Sequence, residues 1–178
     1  PKASITNNAS SGKPVIKWNK VDGASKYELY RRVGTNGKYY LLTTTTGTSI
    51  TNTSAKSGTT YYYMVKAICG TTSYGNSAYS NVVYRTCDLP QPKASITLTS
   101  SGKPKVSWKA VSGATKYEVY RAVGSNGTYE KYYTTTNLYM SNNSAKKGTT
   151  YYYIVKAIYG SNTAANSAYS NAVYKTSK

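Results

Sequence analysis

The chain repeats itself. Gly12-Lys13-Pro14 recurs as Gly102-Lys103-Pro104, Lys26-Tyr27-Glu28 as Lys116-Tyr117-Glu118, and the run Gly58 to Tyr63 as Gly148 to Tyr153. From Gly12 to Thr86 the offset stays at ninety positions, with roughly three paired positions in five identical. A unit of this length exceeds the roughly 20 to 50 residues of solenoid repeats, which cannot fold alone. About ninety residues are enough to bury a self-sufficient core. The expectation is therefore two independent domains, residues 1–86 and 92–178, joined by the linker 87–91. Pro90 and Pro92 favour extended backbone there, which makes the connection a semi-rigid spacer.

Within each copy the local signals are those of strands. Segments rich in Val, Ile, Thr and Tyr alternate in polarity, and no stretch repeats apolar residues at helical spacing for the length a helix needs. Gly23, Gly47, Gly58 and Gly70 mark reversals, and the Asn36-Gly37 and Asn126-Gly127 pairs suggest hairpin turns with positive φ at both central positions. About seven short strands per copy are the pattern of an all-β sandwich.

These residues resemble a known family. Each copy is similar to a fibronectin type III domain, in the subtype of Gram-positive secreted and surface proteins, and the likeness spans the chain. It rests on Trp18 and Trp108, matching the core tryptophan of strand B beside Ile16 and Val106. It continues in Val21 to Ala24, then Tyr27 to Arg31 and Tyr117 to Arg121 of strand C. Last come Gly58 to Ala67, where Tyr61 and Tyr151 match the corner tyrosine of strand F. The family's usual Leu and Pro before that tyrosine are replaced by Ala55 and Ser57, and by Ala145 and Lys147, which loosens the expectation for this turn. No Arg-Gly-Asp occurs. The resemblance implies two immunoglobulin-like β-sandwiches of about seven strands each. Strand period two in turn puts Tyr61, Tyr63, Val65 and Ala67 on the core face.

Composition removes most chemistry. With no His and only Asp22, Glu28, Asp88, Glu118 and Glu130 as acids, nucleophilic triads and metal sites lack their materials. Glu118 and Glu130 share a copy, but Glu130 aligns with Tyr40, so no acid pair repeats. No enzyme activity and no cofactor or metal are expected. The Gly34 to Gly37 stretch reads as a turn, not a phosphate loop, since no helix follows. Cys69 ends strand F while Cys87 follows strand G, too far apart to bridge within a domain, whereas Cys87 is expected to be exposed in the linker and open to crosslinking between chains.

What remains is the outward face of strands C and F. Tyr30, Arg32, Tyr62, Met64 and Lys66 share it in the first copy, and Tyr120, Tyr152, Ile154 and Lys156 in the second. Candidate ligand-binding residues are Tyr30, Arg32, Tyr62, Lys66, Tyr120, Tyr152 and Lys156, with the F–G loops Gly70 to Ala78 and Gly160 to Ala168 as further surfaces. Two readings of the face stand side by side: exposed Tyr and Met that only stabilise a sheet, or a site for glycan or a host protein. The net charge of +18 adds attraction to anionic polysaccharide, salt-sensitive and dispersed over Lys. Specific nucleic-acid binding is not expected, because no recognition motif is present. No run of about 18 apolar residues suggests membrane insertion. The opening Pro-Lys-Ala-Ser has neither an initiating Met nor a signal-peptide core, so the reading is a monomeric fragment of a longer, multidomain chain. Its expected place is extracellular, at the cell surface or secreted, as a non-catalytic spacer, adhesion or presentation module.

Overall fold

A computed structural model describes residues 1–70 and 75–178. Contacts separate the chain into two units, 1–8 with 13–87 and 9–12 with 88–178. Among the described residues of the first module seven strands follow in order: β1 (Ala3–Asn7), β2 (Pro14–Trp18), β3 (Lys26–Val33), β4 (Tyr40–Thr45), β5 (Ser49–Thr51), β6 (Thr60–Ile68) and β7 (Val83–Thr86). The second repeats them as β8 (Ala94–Leu98), β9 (Pro104–Trp108), β10 (Lys116–Val123), β11 (Glu130–Thr135), β12 (Tyr139–Ser141), β13 (Thr150–Ile158) and β14 (Val173–Thr176). Each module packs a three-stranded sheet, ordered β1-β2-β5 or β8-β9-β12, against a four-stranded one, β4-β3-β6-β7 or β11-β10-β13-β14.

Alternation drives the packing. On β6, Tyr61, Tyr63, Val65 and Ala67 are buried while Tyr62, Met64 and Lys66 are half-buried on the other face, the division that period two requires. Pro14, Ile16 and Trp18 turn inward from β2, and Trp18 lies 5.6 Å from Tyr27. The second core repeats this with Val106, Trp108, Tyr117, Tyr151 and Tyr153.

A buried tyrosine needs a partner for its hydroxyl, and each core tyrosine has one. Tyr61 and Tyr151 accept the backbone N–H of Lys56 and Lys146 at 2.9 Å, closing the turn before strand F. The bond uses main chain, so Ala55 and Ser57 do not disturb it. Tyr63 and Tyr153 accept from the side chains of the buried Asn52 and Asn142 at 2.6 and 2.7 Å. Desolvation holds both of these phenols up at about 12.

Two local expectations are corrected. Asn36 and Asn126 do not have positive φ, and the left-handed positions fall on Gly34 (φ 65) and Gly124 (φ 71). Gly37 and Gly127 are needed for space, since a Cβ there would stand 2.4 and 2.3 Å from the carbonyl oxygens of Val33 and Val123. Cys87 is not exposed in a linker. It is fully buried against the first core, its N–H bonded to the Thr59 carbonyl and its own carbonyl accepting from Gly58. These bonds extend the pairing of β6 and β7 by one step and carry the side chain inward. Leu89 is buried in the second core, its N–H donating to the Ala165 carbonyl at 2.8 Å. Cys69 and Cys87 are not joined by a disulfide.

Chain entry and exit lie at opposite ends of each module. Asn81 accepts from the Ala3 N–H and donates to the Ala3 carbonyl at the start of β1, while Asn7 at its end donates to the Thr86 carbonyl. β1 and β7 therefore run side by side in the same direction. The second module repeats the arrangement through Asn171 and Ala94 at one end and Lys178 and Gly102 at the other.

Candidate functional site

The outer face of the four-stranded sheet gathers the residues singled out above. Tyr30 and Arg32 project from β3, Tyr62 and Lys66 from β6, and the ladder sets Tyr30 opposite Met64, Arg32 opposite Tyr62 and Glu28 opposite Lys66. In the second module Tyr120 faces Ile154, Glu118 faces Lys156, and Ala122 takes the place of Arg32 opposite Tyr152.

Two aromatic clusters form on each face. Tyr62 stacks on Tyr84 of β7 with centroids 5.1 Å apart and planes at 25°, and Tyr152 stacks on Tyr174 at 4.9 Å and 24°. The Arg32 guanidinium covers the Tyr62 ring at 4.2 Å and stands 5.2 Å from Tyr39. The second cluster is T-shaped: Tyr30 meets Tyr79 at 5.3 Å and Tyr120 meets Tyr169 at 5.1 Å. Lys66 and Lys156 reach over the rings of Tyr79 and Tyr169 at 5.6 and 5.2 Å. Strand alternation does not single out Tyr79, Tyr84, Tyr169 and Tyr174, although their recurrence at matching positions of the two copies is a signal for them.

The acids on this face are engaged. Tyr30 donates its hydroxyl to Glu28 at 2.7 Å and Tyr120 to Glu118 at 2.9 Å. The bond to Glu28 is the main cause that raises the Tyr30 phenol, with burial and Tyr79 adding to it. For Tyr120 burial leads, followed by the bonds to Tyr169 and Glu118. Burial alone would raise the Glu118 carboxyl. The hydrogen bonds from Tyr120 and Lys131 outweigh it and hold that carboxyl below its usual range. Neither acid is placed as a free base.

A cleft beside the β3–β4 turn is lined by Arg31, Arg32, Lys38, Tyr40 and Leu41, and its counterpart by Arg121, Glu130, Lys131 and Tyr132. The carboxylate of Glu130 makes the second unlike the first. Arg31 is committed elsewhere, bonding Asn52 and Ser54. Of the F–G loops, residues 71–74 lie outside the described structure. The second loop holds the 3-10 turn Thr163–Ala165, whose Ala165 is buried. Among the described residues there is no group of three or more His, Cys, Asp and Glu able to hold a metal, and no helix long and apolar enough to cross a membrane.

This architecture is that of two tandem immunoglobulin-like β-sandwiches of the fibronectin type III kind. The chain is similar to a two-domain fibronectin type III segment of chicken tenascin, with a TM-score of 0.55 and 16% identity over 99% of this chain and 98% of the other. It also matches the FN1–FN3 domains of chicken CNTN1 (TM-score 0.43, 19% identity, 98% of this chain and 66% of that one). A Fn3-like protein from Clostridium thermocellum matches over 48% of this chain and 88% of its own, at 30% identity and a TM-score of 0.41. No protein-family model and no curated protein sequence matches the chain.

Proposed function

We propose that the chain is a pair of non-catalytic modules that space, present or adhere within a larger secreted or cell-surface protein of Gram-positive bacterial type. The observation that carries this reading is the opposite placement of entry and exit in each sandwich. A module entered at one end and left at the other adds its length to the chain it sits in. Tension between its termini pulls β1 and β7 lengthwise past each other, so the Asn81 and Asn7 bridges are loaded together instead of one after another. The tandem fibronectin type III fold fits such a role, as does a chain with no His in which Glu28 and Glu118 on the outer sheet faces already accept tyrosine hydroxyls.

Stretching single molecules by handles at the two termini tests it. Two separate steps are expected, each lengthening the chain by roughly 250–300 Å as some 86 residues extend. Asn81→Ala should lower the force of one step and leave the other unchanged. A single step releasing the whole chain, or unfolding at negligible force, refutes the spacer reading.

A further inference from the structure

We propose that the outer face of each four-stranded sheet binds an anionic sugar chain, one ring lying on Tyr84 or Tyr174 and an acidic group further along meeting Lys66 or Lys156. Tyr84 and Tyr174 are 62% and 61% exposed, yet each is held flat by its stack on Tyr62 or Tyr152. A ring fixed in advance loses little freedom when a ligand arrives, and its apolar face suits the C–H face of a pyranose. Tyr62, Met64 and Lys66 occupy alternate positions on β6, so the backbone of Lys66 stands about 13 Å along the strand from that of Tyr62, at roughly 3.3 Å per residue, with its ammonium over Tyr79 and not over the stacked pair. That separation calls for a chain of rings and not a single sugar.

Charge selects the acidic kind. Residues 1–87 hold 11 Lys and Arg against Asp22 and Glu28, and residues 88–178 hold 12 against Asp88, Glu118 and Glu130. On the face itself the one carboxylate, Glu28 or Glu118, already accepts a tyrosine hydroxyl. The arrangement recurs in both modules with nearly equal distances and angles, although the neighbouring edge strand has changed from Tyr40 and Leu41 to Glu130 and Lys131. A single-stranded nucleic acid binds by stacking successive bases. The stacked ring on the outer edge strand is followed by Tyr79 or Tyr169, which meets its neighbour edge-on beneath a lysine, so the face offers no run of parallel rings, which favours the sugar.

The test titrates the full 178-residue chain by calorimetry and NMR with a galacturonic acid tetramer, its methyl ester, a heparin-derived tetrasaccharide and an oligo-thymidine. Saturable binding of two equivalents of either acidic tetrasaccharide is expected, the tighter one naming carboxylate or sulfate as the acidic group. The ester should bind at least tenfold more weakly. Tyr84→Ala should remove one equivalent and Tyr84→Ala with Tyr174→Ala both, while Tyr84→Phe keeps the stack and the binding. Lys66→Gln with Lys156→Gln should lower the affinity to that of the ester. The inference is overturned if neither acidic saccharide saturates at millimolar concentration, if the ester binds galacturonate's equal, if oligo-thymidine binds more tightly, or if binding survives in the folded double alanine variant. None of these outcomes bears on the force steps that test the spacer role.

Discussion

Tyr63→Phe removes one oxygen from the middle of the first core. Its hydroxyl accepts the Asn52 side-chain N–H at 2.6 Å, and Tyr63 and Asn52 are 0% and 2% exposed. Asn52 has no slack, since its oxygen already accepts from Arg31 at 3.3 Å and Ser54 at 2.9 Å. Phenylalanine leaves the Asn52 donor dry and unpaired, at a cost of about 1–3 kcal/mol. At about 4–8 °C per kcal/mol for a domain this size, 2 kcal/mol lowers the melting temperature by roughly 8–16 °C. The second module serves as control, because Tyr153 and Asn142 are untouched. Calorimetry should show one transition moved and one unchanged, and urea unfolding followed with Asn52→Ala and the double variant should show coupling above about 0.5 kcal/mol. The same phenol has its folded pKa at about 12, above the ordinary 10. Its contribution is complete below pH 10 and is lost as pH rises toward 12, where the unfolded chain ionises first. Tyr63→Phe should flatten that alkaline loss in the first module alone. A cost below 0.5 kcal/mol, or equal movement of both transitions, refutes the reasoning.

Two further outcomes are expected. Gly12→Ala places a Cβ 2.2 Å from the Asp88 carbonyl oxygen at φ 70, whereas Gly23→Ala at φ 75 meets nothing within 4 Å. Urea unfolding should give about 1–2 kcal/mol for Gly23→Ala, the left-handed penalty alone, and clearly more for Gly12→Ala. In thiol labelling of the native chain, the half-buried Cys69 should react first and Cys87 only as the first module unfolds; equal rates would contradict the burial of Cys87.

The sandwich could be read from the sequence wherever one face is dry. Alternation along Tyr61 to Ala67 and the spacing of Ile16 and Trp18 state which side chains turn inward, and the structure places them there. What stayed hidden depends on contacts made across the fold. Asn52 and Asn142 look like turn residues in sequence, and only their tyrosine partners explain why an amide can be buried. Asn81 and Asn171 lie outside any strand, and their role comes from two backbone bonds to residues more than seventy positions away. At Cys87 the nearby prolines point to a linker, whereas backbone pairing at Gly58 and Thr59 continues through it. The outer face was half legible. Period two located Tyr30, Tyr62 and Lys66, but the partners Tyr79 and Tyr84 became visible only with their ring contacts in view.

The two modules also share one ladder: Lys26 to Val33 meets Ile68 to Tyr61 in the same register in which Lys116 to Val123 meets Ile158 to Tyr151. During refolding the backbone therefore cannot tell a strand from its counterpart, and exchange of β6 for β13 keeps every main-chain bond. Correct assembly then falls to the positions where the copies differ, such as Arg32 against Ala122, Leu29 against Val119 and Ile50 against Met140. Divergence between the copies is thus a safeguard for folding, and making the second module identical to the first would be expected to slow the recovery of native chain while leaving each sandwich as stable as before.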